Sequence, residues 1–296
     1  MQAESQESGE THVVIVGVGL IGGSIAAALR KRYPACRLRG IGRSSDRLIR
    51  AQQAGLIDDW STEITGDAIP PASLSVVCLP VDRISPSVRE LAAAAADDCV
   101  ITDAGSVKSL MFRQLSDDPR AKQLFVGSHP IAGGEQTGFE FSQPDLFLNR
   151  VCVVTPEASG QRSVDRVAQF WRSLGSHVRF MSAAEHDQIL ARTSHLPHVL
   201  ASTAAACVRE DQLFFTGSGF RDTTRIAEGS ADIWTGILIG NQEEVTRAIQ
   251  QAQQTLQRIR TAVETRNAAE LTAILESAAE LRRQLGSAPR NPPGIP

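Results

Sequence analysis

The sequence predicts an α/β fold in which a doubly wound, mostly parallel sheet is followed by an all-helical domain. Three observations point there. Short β-branched runs alternate with helical stretches over residues 12–181, several of those runs are almost continuously apolar, and strand signals stop at Ser182. Strand–helix alternation builds parallel sheets through crossover helices, and strands covered on both faces are the ones that read as unbroken apolar runs.

The expected strands are VVIVG at 13–17, LRGIG at 38–42, LSVVCLP at 74–80, CVITDAG at 99–105, LFVGSHP at 124–130, VCVVTP at 151–156 and HVRFM at 177–181. The alanine run 92–96 between two of them is a helix segment. Helical periodicity then occupies 183–210, 231–239, 242–265 and 267–285, with a Gly-rich loop expected over 217–229. Residues 182–286 thus form the helical domain, and the apolar side of 183–210 (Ile189, Leu190, Leu196, Val199, Leu200, Ala204, Val208) suits both closure over a ligand and pairing with a second subunit. Residues 1–11 and 287–296 are expected to be disordered tails.

Composition sets outer limits. The 296 residues, 42% hydrophobic and 21% charged, can bury a sizeable core in one large or two ordinary domains. A net charge of −3 leaves no basic excess for phosphates, so nucleic acid is not expected as the main partner. Cys36, Cys78, Cys99, Cys152 and Cys207 are scattered, odd in number and without a Cys-x-x-Cys pair. That suits reduced thiols in the cytoplasm better than a disulfide framework or a zinc site. Residues 1–10 lack the apolar stretch of a signal peptide, and no run approaches the roughly 18 apolar residues of a membrane span. Neither a metal nor a membrane is expected.

The first strand runs into Gly17-Val18-Gly19-Leu20-Ile21-Gly22 and then a helix. G-x-G-x-x-G in that position is the dinucleotide fingerprint of a Rossmann-type domain. Gly17 permits the tight turn, Gly19 lets backbone approach a pyrophosphate, and Gly22 lets helix and strand pack closely. The anion would sit on free N–H groups near Leu20 and Ile21. The second strand ends Gly42-Arg43-Ser44-Ser45, without the acid that bonds the ribose 2′-hydroxyl of NAD. Arg43 and Ser44 could instead hold a 2′-phosphate, which favours NADP; the alternative is a solvated Arg43 and NAD bound without a carboxylate.

Three further segments carry chemistry. Asp103-Ala104-Gly105-Ser106-Val107-Lys108 turns from strand to helix, and His129 ends a strand before Pro130-Ile131-Ala132-Gly133-Gly134-Glu135. Strand ends are where ligands of open α/β sheets bind, and an ordinary imidazole pKa near 6.5 suits a general base. In Ser194-His195-Leu196-Pro197-His198 the two histidines share a helix face, and Pro197 should kink the helix there. Buried core histidines are the alternative for that pair. Arg221 and Arg225 offer bidentate carboxylate clamps, or else a solvated surface loop.

Together GVGLIGGS (17–24), DAGSVK (103–108), HPIAGGE (129–135), EHDQILARTSHLPH (185–198), GFRDTTRIA (219–227) and DIW (232–234) form an ordered set over residues 12–285. That set resembles the prephenate/arogenate (cyclohexadienyl) dehydrogenase family of tyrosine biosynthesis. The resemblance implies that His129 is the base for the ring 4-hydroxyl, with Ser106 bonding that hydroxyl. It implies that Arg225 binds a substrate carboxylate, and that His198 and His195 surround the pyruvyl or alanyl side chain. Glu135 and Arg221 would support them, and Trp234 would pack at the pocket from its own or the partner subunit. It further implies a homodimer through the helical domain, oxidative decarboxylation with NAD(P), and no metal. Gly134 departs from the Ser or Thr often found there, which leaves side-chain specificity open. No span for an added regulatory domain is expected after residue 286 or before residue 11.

Two rival readings follow from the same residues. A β-hydroxyacid or imine reductase shares the architecture, but the β-hydroxyacid type relies on a lysine of the helical domain, and 182–286 contains none. A non-catalytic NADP-binding sensor would need the glycines but not His129, Ser106, His198 and Arg225 together.

Overall fold

A computed structural model describes residues 11–134, 136–157 and 159–287 of the chain. β1 (His12–Val16), α1 (Leu20–Arg32), β2 (Arg37–Ile41), α2 (Ser45–Gln53) and a short β3 (Asp59–Ser61) come first. β4 (Leu74–Val77), α3 (Val81–Ala94), β5 (Val100–Asp103), α4 (Ser109–Gln114), α5 (Pro119–Leu124) and β6 (Phe125–Pro130) follow. β7 (Val151–Thr155), α6 (Gln161–Ser173) and β8 (His177–Phe180) complete one sheet ordered β3-β2-β1-β4-β5-β6-β7-β8. Among the described residues only β6 and β7 pair antiparallel. The strand order reverses between β1 and β4, which opens a crevice at the carboxyl ends of the strands.

Alternation along β1 feeds two cores. Val13 and Ile15 meet Ile25, Leu29, Leu38 and Trp171 on the face covered by α1 and α6. Val14 and Val16 meet Ile84, Val88, Leu91, Met111 and Phe125 on the face covered by α3 and α4. β3 is not anticipated by pattern: Asp59-Trp60-Ser61 is too short and polar to show a period. It adds to the edge of β2, where the Arg39 guanidinium also bridges Asp59 at 2.6 Å.

The helical part differs from expectation in three places. The segment expected as one helix over 183–210 is α7 (Ala183–Leu190), a π-helical turn (Ala191–His195) and α8 (Leu196–Ala206). The stretch 217–229 is not a loop; it folds as α9 (Ser218–Thr224) and a 3-10 turn (Arg225–Glu228). Its glycines lie at or beside its ends, with Gly217 preceding the first turn and Gly229 following the last, so they bound the helix rather than break it. Then come α10 (Ala231–Gly240), α11 (Gln242–Glu264) and α12 (Ala268–Ser287), the last reaching one residue into the expected tail. The rest of both expected tails lies outside the described residues. The chain separates into two compact units at Gln242/Glu243, so 182–242 packs within the same unit as the sheet. Among the described residues no helix is long and apolar enough to cross a membrane.

One buried ion pair ties the strand ends together. Lys108 Nζ donates to Asp103 and, at 2.9 Å, to the Ser128 carbonyl. Asp103 also accepts from Gly105 N–H at 2.8 Å and Ser128 N–H at 3.0 Å, and both side chains of the pair are fully buried. Trp171 Nε1 closes the set on Ser128 Oγ at 2.8 Å. Removing one partner of such a pair leaves an uncompensated buried charge. Lys108→Met is therefore expected to lower unfolding stability by about 3–5 kcal/mol, read from the urea midpoint; a wild-type midpoint would contradict this account.

Candidate active site

The glycine turn has the geometry its motif requires. Gly17 adopts φ +97°, and a Cβ there would meet the Cys78 carbonyl at 2.5 Å, so β1 and β4 leave room only for glycine. At Gly22 a Cβ would lie 2.2 Å from the Gly17 oxygen. Gly19 faces open space, with nothing within 4 Å of a built Cβ. α1 starts at Leu20 with no acidic residue in its first turn and no side-chain cap, and first-turn N–H groups have no partner within their helix. An open backbone beside unpaired N–H groups fits a pyrophosphate. Arg43 and Ser44 stand exposed after β2, where Ser44 Oγ caps α2 by accepting from Arg47 N–H at 3.4 Å.

His129 is the penultimate residue of β6 and is 9% exposed. Its Nδ1 lies 2.9 Å from His186 Nε2, and His186 Nδ1 lies 2.8 Å from Asp187 Oδ1. The Asp187 carboxylate also accepts the Lys108 and Ser109 N–H groups, both at 2.8 Å, at the head of α4. His186 and Asp187 sit on α7, which Ser182 caps through the Glu185 N–H at 3.1 Å. Two residues adjacent in sequence thus join a strand end and a helix start that lie 57 and 79 positions away.

Burial pulls His129 well below the usual imidazole range, and His186, Lys108 and His195 act in the same direction. This corrects the expectation of an ordinary imidazole. His186 is also lowered by burial, against the raising effect of its Asp187 hydrogen bond. Burial acts to raise Asp187, but hydrogen bonds from His186, Lys108 and Ser109 outweigh it and keep the carboxyl below its usual value. At neutral pH this is a carboxylate backing two neutral imidazoles.

The second histidine pair gathers around Trp234. The His198 ring stacks on that indole at 3.6 Å and 9°, and His195 meets it edge-on at 6.4 Å. Pro197 is the cause of the local geometry. It has no N–H for the Thr193 carbonyl, and the chain answers with a π turn in which Leu196 N–H reaches back to Ala191 rather than with a simple kink. Asn241 Nδ2 bridges the Asp187 carbonyl at 2.8 Å and His195 Nδ1 at 3.2 Å. Burial lowers His195 to about 4, with Asp187 opposing. His198 is lowered by burial and raised in part by the Ile226 carbonyl, which ties it to the turn that follows Arg225.

The remaining expected residues are placed as follows. Ser106 is half-buried between β5 and α4, with no hydrogen bond to His129. Arg221 is exposed on α9 and donates to the Thr216 carbonyl at 3.4 Å. Arg225 is exposed at the start of the 3-10 turn, beside the Ile226 that His198 holds. Glu135 lies outside the described residues. Gly134 of the same loop approaches Leu20, which a built Cβ would meet at 3.8 Å, so the segment after His129 reaches the glycine turn. Sequence inspection missed His186, Asp187, Asn241 and Lys108 as parts of this cluster. The one usable signal was a His-Asp pair opening a helix.

The model "Prephenate dehydrogenase, nucleotide-binding domain" matches residues 25–180, and "Prephenate dehydrogenase, dimerization domain" matches 182–277. The chain belongs to the prephenate dehydrogenase family. A cyclohexadienyl dehydrogenase of Zymomonas mobilis is 31% identical over 85% of this chain and 88% of its own length. A prephenate dehydrogenase of Bacillus subtilis is 29% identical over 94% of this chain and 78% of its own. The solved prephenate dehydrogenase of Aquifex aeolicus, in complex with hydroxyphenyl propionate and NAD+, superposes with a TM-score of 0.85 at 30% identity, covering 93% of this chain and 98% of that one. This member of the family is accordingly an NAD(P)-binding oxidoreductase.

Four imidazoles held neutral (His129, His186, His195 and His198) make stability depend on pH. The unfolded chain takes up protons as pH falls through about 6.5 while the folded one resists, so stability present above that pH is lost below it. For His195, a fall from 6.5 to about 4 corresponds to about 3 kcal/mol when the loss is complete. The melting temperature is expected to drop between pH 7.5 and 5.5, where carboxylates do not titrate, and His195→Gln should flatten that slope. A slope unchanged by the substitution would contradict burial as its cause.

Proposed function

We propose that this chain catalyses the NAD(P)-dependent oxidative decarboxylation of prephenate to 4-hydroxyphenylpyruvate and CO2 in tyrosine biosynthesis, with arogenate as the alternative substrate. The observation that carries this reading is His129: a buried, neutral imidazole at a strand end, on a loop whose Gly134 lies beside the head of α1. Family membership supports it, and the relatives named above favour it over the reductase and sensor readings.

In this scheme Gly17, Gly19, Leu20, Ile21 and Gly22 hold the pyrophosphate. Arg43 and Ser44 favour the 2′-phosphate of NADP over NAD. Bound there, the nicotinamide supplies the hydride acceptor for C4 of the ring. His129 takes the proton of the 4-hydroxyl, which Ser106 also bonds. The ring carboxylate leaves as CO2, its bonding electrons make the ring aromatic, and the resulting phenolate takes up a proton. Arg225 holds a substrate carboxylate, with Arg221 and Glu135 in support. His195 and His198 surround the side chain, and each keeps one buried nitrogen without a partner in the described structure, as groups that await ligand atoms do.

The second copy of a homodimer would cover the strongly exposed Phe214, Phe215 and Ile239, and the dimerization-domain match supports this assembly. Five free cysteines suit work in the cytoplasm.

Purified protein given prephenate or arogenate with NAD+ or NADP+ should reduce the nicotinamide in at least one combination, faster with NADP+ than with NAD+. His129→Asn is expected to bind cofactor normally and lose about 10²–10⁴ in kcat; wild-type turnover would remove His129 as the base. Arg225→Ala should weaken substrate binding by about 2–5 kcal/mol, measured as Kd by calorimetry, and an unchanged Kd would reject the clamp. Tighter NAD+ than NADP+ binding in the same instrument would discard the role given to Arg43.

A further inference from the structure

We propose that His186 and Asp187 are positioning residues that fix the tautomer of His129 and so decide which of its nitrogens is the base. The inference deepens the proposed function and rests on His129 being that base.

The argument runs from the fixed end of the chain of bonds. Asp187 is held below the usual carboxyl range and takes two backbone N–H groups, so it is an anion that only accepts. His186 Nδ1, 2.8 Å from Asp187 Oδ1, must therefore carry a hydrogen. A neutral His186 then has a bare Nε2, which can only accept. His129 Nδ1, 2.9 Å from that atom, must carry its hydrogen in turn, and a neutral His129 is left with its lone pair on Nε2. The opposite arrangement would set the bare Nδ1 of His186 against a carboxylate oxygen, two acceptors facing each other in a fully buried place.

Nothing else near the pair competes for the assignment. The Lys108 ammonium is spent on Asp103, Ser128 and Met111, and only its backbone N–H reaches Asp187. His195 Nδ1 is occupied by Asn241. His129 Nε2 has no hydrogen-bond partner among the described residues. The carboxylate is anchored by the two N–H groups at the head of α4, within the protein itself. When Nε2 takes a proton, the imidazolium forms two hydrogen-bonded steps from a fixed negative charge.

Asp187→Asn tests this with almost no change in shape. With its NH2 in the place of Oδ1, the amide faces His186 Nδ1 with a donor, which reverses both imidazoles and puts a hydrogen on His129 Nε2; its oxygen then keeps the Ser109 N–H, and the Lys108 N–H, which shares Oδ1 in the wild type, loses its acceptor. Long-range 1H–15N spectra of the full-length protein without ligands, with the His129 signals identified by their loss in His129→Asn, should show bare Nε2 in the wild type and protonated Nε2 in Asp187→Asn. The same variant should lose about 10²-fold or more in kcat at a KM within about threefold of wild type. His186→Leu, read alongside in case Asp187→Asn fails to fold, should give mixed tautomers and a smaller, few-fold kcat loss, and His186→Gln, whose amide oxygen can accept from His129, should recover most of it. A wild-type His129 protonated at Nε2 would overturn the inference. So would wild-type kcat in Asp187→Asn or His186→Leu while His129→Asn is inactive. Activity retained in His129→Asn would instead defeat the proposed function.

Discussion

The Asp187 carboxylate is the constraint on which the candidate site depends. Its two oxygens end the backbone of α4, fix the ring of His186 and, through that ring, the ring of His129. Its own peptide oxygen holds Asn241, which holds His195. A single residue therefore sets the place of three imidazoles, those of β6 and α7 through its carboxylate and that of the π turn through its peptide oxygen. Charge-assisted hydrogen bonds of this kind are shorter and stronger than neutral ones, and burial keeps water from competing for them.

The sheet supplies the counterweight. Asp103 and Lys108 are buried together under the same turn that presents the α4 N–H groups to Asp187. Lys108 serves both layers at once, its ammonium facing the strand ends and its backbone N–H facing α7. That double use explains why a lysine with an aliphatic stem long enough to reach Ser128 sits in a position otherwise fit for an apolar residue.

What was legible in the sequence was local. β1, the glycine turn and α1 follow one another within about twenty residues, and each position has its own steric reason, so the chain order alone reveals them. The strand ends carrying Ser106 and His129 were visible because apolar runs stop there. β3 was hidden by its length. The helix over 217–229 was hidden because glycines that bound a helix look the same as glycines that dissolve one. His186 and Asp187 stood in plain view as adjacent letters, yet their partners are 57 and 79 residues away, and no spacing rule connects them. The buried fate of His129 was likewise invisible, since depression of its pKa comes from what surrounds it and not from its neighbours in the chain.

The π turn before Pro197 has a consequence for how this site can change. A helix that accommodates one surplus residue rotates all that follows by about 100° relative to uninterrupted winding. Deleting any one of residues 191–195 would remove the surplus residue and swing His198 away from the indole of Trp234. The length of the segment, and so its register, is as much a part of the chemistry as the imidazoles it carries.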